Sequence, residues 1–505
     1  MEEVVKPKNN LFKITAKIKS KISKYKFFLK PAIILTIIYL IGFSAILRAN
    51  FYYSDDLGRA DLGYKKWDDF SRYLSNFLSN FIHTSPYLTD ISPLTQIVAS
   101  FLLAFSGVML LHIITGKERF SIIELIATIP LGLSPYFLEC ITYKYDSPYM
   151  AFSIFISIFP LLFHKDNRIK YFVISTISMI CLCSTYQAAS GIFPMLVILI
   201  CLLKWNKQEN MKEIFIFFTI SILGYVLGLG IFKVFIMAPV SNYVSNSLPA
   251  FNRIIPNTIG NLIHYFRSLK NDFRDIWLIF VFIICACFIF VSTVNTKQKK
   301  IYTLLISVAT LLIMLILSFG VYPLLEEPLF ENARAMYGFG AFLAFIITYI
   351  VTFSTKWLPK IFCLILCWMF FVFSFTYGNA LYVQQKYEEY RMSLVIEELN
   401  DLGYLDSERN PIVIVRGSVG YAPSIRHMPI SYYNIISKLI PVNFSGNYWG
   451  VYKFFNYYDL NNFMKDALCN AEYDENMQIL KDTIYYTIRG NDDWVIIELK
   501  PESRY

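Results

Sequence analysis

The sequence predicts a polytopic, all-α membrane protein with about eleven transmembrane helices, followed by a small α/β domain. Hydrophobic residues make up 56% of the 505 residues and charged residues only 16%, whereas a soluble domain carries about 25% charged residues. The apolar residues gather in stretches of about twenty, the length of a helix that crosses the hydrocarbon core. The same composition excludes a disordered chain, a collagen-like repeat and a disulfide-rich secreted fold.

Eleven apolar stretches have the character of membrane spans, although some are short. They begin near Pro31, Pro93, Phe120, Pro148, Tyr171, Gly191, Glu213, Ile276, Ile301, Met336 and Pro359. Several contain glycine or proline, which membrane helices tolerate where their neighbours satisfy the backbone. Residues 171–203 form either two short spans that meet at Tyr186 and Gln187 or a re-entrant hairpin.

Lysine and arginine predict the orientation, because they concentrate in the short cytoplasmic loops of membrane proteins. The first 30 residues contain nine lysines, and with that end inside every other short inside loop is also basic. These clusters suit anionic lipid rather than nucleic acid, because no soluble basic domain carries them. We prefer a first span to a cleaved signal peptide, since the apolar stretch is long and no clear small-residue cleavage site follows it.

This orientation divides the chain into three parts. Residues 1–30 are a basic cytoplasmic N-terminus, and residues 31–376 form the transmembrane domain. Within the latter, residues 48–91, 239–275 and 321–334 are predicted to be outside loops.

The tail, residues 377–505, is more polar and predicts a small outside α/β domain. Apolar positions at helical spacing indicate a helix over residues 384–402. Residues 411–416, 483–488 and 494–499 alternate as strands do and are bounded by turn residues.

The sharpest local feature is the pair Asp55 and Asp56, which directly follows the first span and three aromatic residues. A carboxylate that is partly desolvated at a membrane surface has a raised pKa and suits the role of a general base. The alternative is a simple helix start, because aspartate is common there and tyrosine is common at the membrane interface. The local sequence leaves both interpretations open.

A third acidic residue, Asp146, lies in a very short outside turn, and it suits either a substrate contact or the N-cap of the span that begins at Pro148. Outside arginines form a third group, because the planar guanidinium recognises phosphate. Simple snorkelling near lipid headgroups is the alternative for each of them. This group contains Arg59, Arg72, Arg253, Arg267, Arg274 and Arg334.

Other chemistries have little support in the sequence. The five histidines form no ligand-spaced pair, and eight of the nine cysteines lie in or beside spans, so a metal site or a Ser-His-Asp triad is not indicated. The ninth, Cys469, is alone in the tail and has no disulfide partner there. No glycine-rich phosphate loop follows a strand, which argues against nucleotide chemistry.

The first outside loop carries a family resemblance. Residues 51–72 (FYYSDDLGRADLGYKKWDDFSR), followed by Ile91-Ser92-Pro93-Leu94, resemble the serotype-converting O-antigen glucosyltransferases of bacteria, a group within the GT-C class of membrane glycosyltransferases. The tetrapeptide at residues 145–148 (YDSP) and the region of Arg334 are similar too. The resemblance is weak in the tail.

The resemblance implies a GT-C-like fold in the bacterial inner membrane, with a periplasmic C-terminal domain. It implies transfer of glucose from undecaprenyl phosphate-glucose to a sugar of lipid-linked O-antigen on the periplasmic side. One of the tandem aspartates supplies the base, and basic residues hold the lipid phosphate. A direct displacement of this kind inverts the anomeric carbon. No cofactor and no nucleic-acid partner is implied, although a metal at the tandem aspartates is left open.

These considerations assign provisional roles. Asp55 or Asp56 is the base, and the other binds a sugar hydroxyl. Substrate contacts are expected from Asp146, Tyr145, Gln187, Arg334, Arg59 and Arg72. The alternatives are an O-antigen polymerase, which should carry its largest outside segment between middle spans, and a lipid-linked sugar transporter or flippase, which should carry charges at the bilayer centre.

Overall fold

A computed structural model of the chain describes residues 26–238, 248–405, 411–446, 477–491 and 494–501. These residues are predominantly helical, with one small sheet near the C-terminal end. The prediction of a mostly helical chain with apolar spans and a small terminal sheet is therefore confirmed. The position of Cys469 lies outside the described residues.

The principal helices up to the middle of the chain are α1 (Leu29–Ala49), α2 (Asp55–Leu62), α3 (Tyr73–Ile82), α4 (Leu94–Thr115), α5 (Ile122–Leu133), α6 (Pro135–Thr142), α7 (Ser147–Phe163), α8 (Arg168–Cys183), α9 (Gln187–Asn206) and α10 (Met211–Ile236). They are followed by α11 (Ile254–Asp272), α12 (Asp275–Val294), α13 (Lys300–Leu317), α14 (Gly338–Phe353) and α15 (Trp357–Asp401). All eleven predicted stretches are helical.

Length and apolar composition qualify seven of the described helices as membrane spans, or eight if the bent pair α5–α6 counts as one. That is fewer than the predicted eleven, because α7 and α14 are short apolar helices and α8 falls below the same criteria. Residues 171–203 are two helices that meet near Tyr186 and Gln187, an arrangement that suits both predicted alternatives, and only the second helix has the length and composition of a span.

The bend between α5 and α6 shapes the interior. The two helices meet at 66°, with Ser134 in extended conformation and Pro135 opening α6. Proline supplies no backbone N–H and clashes with the preceding turn, so the helix cannot continue straight through this point. The bend leaves α6 buried along its whole length.

Close helix packing surrounds this bend. Helix α15 lies along α1, and Gly378 is the point of contact: a Cβ added there would stand 2.5 Å from the backbone of Ala45 and Ile46. A small residue at such a crossing lets two membrane helices approach closely.

Helix α15 is 45 residues long and continues from its apolar half directly into the tail. The predicted helix over residues 384–402 is therefore the last part of α15 rather than a separate element. Its residues Met392, Val395 and Leu399 pack on the sheet.

The sheet contains β1 (Ile412–Gly417), β2 (Ile479–Asp482), β3 (Tyr486–Gly490) and β4 (Trp494–Leu499) in the order β1-β4-β3-β2. Strand β1 is parallel to β4, and the other neighbours are antiparallel. The three predicted strands correspond to β1, β3 and β4, and β2 was not predicted.

The tail also touches the loop after α1. The hydroxyl of Tyr53 donates a hydrogen bond to the carbonyl of Leu439 at 2.8 Å, and the Asn443 side-chain amide donates to the carbonyl of Tyr52 at 3.1 Å. These contacts fix the backbone immediately before the tandem aspartates.

Candidate functional site

The loop after α1 turns sharply into α2, and the tandem aspartates form its first turn. Ser54 has a positive φ of 44°, and Gly63 ends the helix with a φ of 64°, the left-handed conformation that glycine adopts without strain. Carboxylates in a first helical turn are favoured by the helix dipole. The sequence thus places Asp55 and Asp56 side by side, but their environments differ.

Asp56 is fully buried. Its Oδ2 accepts hydrogen bonds from the backbone N–H of Tyr53 at 3.2 Å and of Lys144 at 3.0 Å. Its Oδ1 has no hydrogen-bond partner in the described part of the chain. Burial raises the pKa of Asp56 to about 7, although the two N–H donors and Arg59 oppose the rise. Asp56 therefore ties the first loop to the turn before α7.

Asp146 strengthens the same connection. Its carboxylate accepts from the Arg59 guanidinium and from the indole N–H of Trp67. All three side chains are buried, and the guanidinium stacks over the Trp67 ring at 4.9 Å. Asp146 occupies the N-cap position of α7, but its side chain makes no capping hydrogen bond. The capping interpretation of its carboxylate is therefore wrong, because Arg59 and Trp67 engage it instead.

Tyr145 belongs to this buried connection as well. Its ring stacks on His83 with centroids 6.0 Å apart, and its hydroxyl has no hydrogen-bond partner among the described residues. Burial raises the pKa of this hydroxyl. Tyr145 packs with Trp67, Leu88 and Tyr149 in a small cluster beside α2.

A second ion pair lies next to Asp56. The ammonium of Lys144 contacts Asp90 at 3.0 Å and stands 3.5 Å from the centroid of the Tyr52 ring. The Tyr52 hydroxyl donates to the same Asp90 carboxylate at 2.8 Å. Burial favours protonation of Asp90, but Ser92 and Lys144 outweigh it and lower its pKa.

Asp55 is only partly buried and lies within electrostatic range of Arg334. Arg334 donates from its backbone N–H to Glu139 at 2.6 Å, and its guanidinium contacts the same carboxylate at 3.4 Å. Burial opposes the charge of Arg334, yet Glu139 and Asp55 outweigh it and raise the pKa of the guanidinium. The Arg334 side chain retains 21% exposure, so it is accessible to a ligand.

The sequence analysis did not identify Glu139. It is a lone carboxylate within the apolar segment PYFLECIT of α6 and is almost completely buried. An ionisable residue inside a membrane-embedded segment is expensive to bury and commonly functional. That isolation was the signal that could have identified it.

Arg72 and Gln187 lie at an apolar cavity of about 250 Å³. The guanidinium of Arg72 stacks over the Tyr186 ring at 4.5 Å, and the Gln187 amide donates to the carbonyl of Cys183 at 2.9 Å. Burial lowers the pKa of Arg72, and the nearby charges of Arg334 and Arg59 lower it further. The other cavity-lining residues are mostly apolar: Phe70, Cys183, Leu229, Phe232, Lys233, Met237, Leu248, Val321, Tyr322, Leu324, Leu325 and Leu329.

Comparison with known proteins assigns the chain to a family. A family model described as glucosyl transferase GtrII matches residues 44–345, more than half of the chain. The chain belongs to the GtrII family. A relative from Salmonella phage P22, described as an uncharacterized 55.3 kDa protein in the gtrB 5′ region, is 24% identical over 409 residues, which cover 78% of this chain and 83% of the relative. No solved structure matches the chain.

The part that matches the GtrII model includes every residue of the predicted site. Within it, the structure separates two groups. Asp56, Arg59, Asp146 and Tyr145 form a buried connection between the first loop and the turn before α7. Asp55, Arg334, Arg72 and Gln187 are the less buried group. Arg72 and Gln187 line the apolar cavity, and Arg334 lies within electrostatic range of both Arg72 and Asp55.

Family membership supports a glycosyltransferase. Over the described ranges, no group of three or more His, Cys, Asp and Glu side chains is arranged to hold a metal ion.

Proposed function

We propose that this GtrII family member transfers a glucosyl residue from undecaprenyl phosphate-glucose to a sugar of lipid-linked O-antigen. The reaction takes place on the periplasmic side of the bacterial inner membrane, opposite the lysine-rich loops. The observation that carries the proposal is the Arg72 guanidinium in the wall of an otherwise mostly apolar cavity.

A lipid-linked phosphate has two parts that need different surroundings. Its hydrocarbon chain needs apolar walls, and its phosphate needs cations. Arg72 supplies a guanidinium at the cavity wall without any acidic partner in the described structure, and its buried Nε has no hydrogen-bond partner. The positive charges of Arg334 and Arg59 also repel that of Arg72. An anion bound at this point would reduce the repulsion and accept a hydrogen bond from the Arg72 Nε.

Asp55 is the better candidate for the base. A general base must reach the hydroxyl from which it takes a proton, and Asp55 is partly exposed whereas Asp56 is fully buried. Asp56 is instead engaged with the backbone of Tyr53 and Lys144. We assign Asp56 to positioning of the loop that carries Asp55.

The chemical step is a single displacement. Asp55 accepts the proton of an acceptor hydroxyl while the hydroxyl oxygen forms a bond to the anomeric carbon of glucose. The bond between that carbon and the phosphate oxygen breaks, and undecaprenyl phosphate leaves. Arg72 and Arg334 stabilise the charge that develops on the phosphate, which is the kind of fixed electrostatic contribution that accelerates group transfer most. The anomeric configuration is inverted.

Glu139 contributes by fixing Arg334. Its carboxylate holds both the backbone and the guanidinium of this residue, so the guanidinium is oriented before substrate binds. Glu139 is thus a positioning residue in this proposal.

The test is an assay with purified protein in vesicles, supplied with radiolabelled undecaprenyl phosphate-glucose and the lipid-linked O-antigen repeat. The proposal predicts label in a new glycosidic bond on the repeat and inverted configuration. A flippase would instead move the labelled lipid across the bilayer without forming a bond, and a polymerase would lengthen the repeat without consuming the glucose donor. Either result contradicts the proposal.

A further inference from the structure

Helix α11 presents an exposed apolar stripe that the proposed reaction does not use. Ile255, Ile259 and Ile263 recur every four residues, and their side chains are 72%, 54% and 53% exposed. Phe251, just before the helix, is 93% exposed, and Phe266 continues the stripe. Residues four apart lie on one helical face, so these side chains form one continuous surface along a helix of 19 residues.

The opposite face of α11 packs against the rest of the protein. The side-chain amide of Asn261 donates to the carbonyls of Pro323 and Leu325 at 3.0 and 2.9 Å, and that of Asn257 donates to Leu325 at 2.9 Å. Tyr265 is fully buried on this face. The exposed stripe is therefore held rigidly in one direction and cannot rotate inward to hide itself.

A polar flank runs beside the apolar stripe. His264, Arg267 and Asn271 line a separate surface pocket of about 340 Å³ together with Lys438. The helix thus carries three distinct sides: one bound to the protein, one apolar and exposed, and one polar and exposed. This arrangement is typical of a helix that lies in the plane of a membrane surface.

The position of α11 in the chain supports the same conclusion. Only two residues separate its end at Asp272 from the start of the candidate span α12 at Asp275. The span α10 ends at Ile236, before the helix. The C-terminal end of α11 therefore lies at the mouth of a span, where the acyl chains meet the headgroups.

We infer that α11 is an interfacial helix whose Ile255–Ile259–Ile263 stripe is embedded in the phospholipid bilayer surface. Basic residues beside the stripe suit this depth: Lys270 lies at its end, and Arg267 lies on the adjoining polar flank, where long basic side chains reach lipid phosphates. The inference goes beyond the proposed reaction and does not depend on it.

The embedded helix has a structural consequence for the cavity. Asn257 and Asn261 of α11 donate hydrogen bonds to the backbone carbonyl of Leu325. Leu325 lies in the segment that also contributes Tyr322 and Leu324 to the cavity wall. A helix fixed at the bilayer surface therefore holds this wall at the depth of the headgroups.

The experiment places the photoreactive residue p-benzoylphenylalanine singly at positions 259, 263 and 271 of the full-length protein. The variants are reconstituted into vesicles of phosphatidylethanolamine and phosphatidylglycerol, irradiated, and analysed for lipid adducts by mass spectrometry. Position 226, an exposed valine on the candidate span α10, is the positive control. Size-exclusion chromatography before reconstitution checks that each variant is folded.

We expect lipid adducts at positions 259 and 263 in severalfold excess over position 271. Equal yields at positions 259 and 271 would overturn the inference, as would absence of adducts at position 259 when position 226 reacts. Crosslinks from position 259 to a second copy of the chain would also overturn it, because the stripe would then be a subunit interface. None of these results depends on glucosyl transfer, so failure here is distinguishable from failure of the proposed function.

Discussion

The substitution Asp56→Asn tests the electrostatic account of the first loop most quantitatively. Asparagine keeps an oxygen that can accept from the backbone N–H of Tyr53 and Lys144, but it carries no charge at any pH. The variant therefore removes the buried charge while it preserves the connection that Asp56 makes.

The magnitude follows from the shifted pKa. In the folded protein the pKa of Asp56 is raised to about 7, from 3.8 for an ordinary aspartate. A raised carboxyl pKa means that the folded state holds the proton more tightly than the unfolded state, so stability is lost as the pH rises through the folded pKa. The full loss is about 4 kcal/mol, of which about 3 kcal/mol falls between pH 5 and pH 8.

The assay is thermal or denaturant unfolding of the detergent-solubilised protein across that pH range. The stability of Asp56→Asn relative to wild type should rise by about 3 kcal/mol from pH 5 to pH 8. The matched control is Asp61→Asn, an exposed aspartate on the same helix, whose difference from wild type should not change comparably with pH. If Asp56→Asn instead loses relative stability as the pH rises, Arg59 and the N–H donors outweigh burial and the reasoning is refuted.

Three further substitutions test other parts of the site. Glu139→Gln should lower the transfer rate about 100-fold, because a misplaced Arg334 costs that much in a preorganised site; near wild-type turnover would contradict the positioning role. Arg59→Met should lower the free energy of unfolding by about 3 kcal/mol, since it leaves Asp146 buried without its cation, and adding Asp146→Asn should recover part of that loss in the same unfolding assay. Arg72→Met should raise the KM for the polyprenyl donor about tenfold or more, from loss of a hydrogen bond to a charged group, and Arg72→Lys should recover part of it; an unchanged KM would remove Arg72 from the donor site.

The sequence predicted most of the helices and the strands β1, β3 and β4, because apolar stretches and alternating patterns are local properties. It could not show that the helix over residues 384–402 continues the last span, since the pattern changes from apolar to amphipathic within one helix. It also predicted more spans than the structure supports by length, because α5 and α6 are bent at Pro135 and because α7, α8 and α14 have only 16 or 17 residues. Hydropathy does not distinguish a buried short helix from a span.

In the site, too, the sequence predicted local features but not the contacts between residues far apart in the chain. The tandem aspartates at the start of a helix were visible in the sequence. The pairing of Arg59 with Asp146 joins residues 87 positions apart, and that of Arg334 with Glu139 joins residues 195 apart. Each pairing joins different elements: Arg59 lies on α2 in the first loop and Glu139 lies on α6 after the bend. For that reason the sequence did not show that Arg59 and Trp67 engage the Asp146 carboxylate, and a substrate contact of Asp146 stays a prediction.

The most direct measurement of the central claim is the transfer rate of Asp55→Asn under single-turnover conditions, with Asp61→Asn as the matched control on α2. If Asp55 takes the proton from the acceptor hydroxyl, Asp55→Asn should be slower by about a hundredfold to ten-thousandfold, the usual contribution of a general base, while donor binding persists and Asp61→Asn transfers glucose at the wild-type rate. A rate for Asp55→Asn close to that of the wild type would contradict the proposed mechanism.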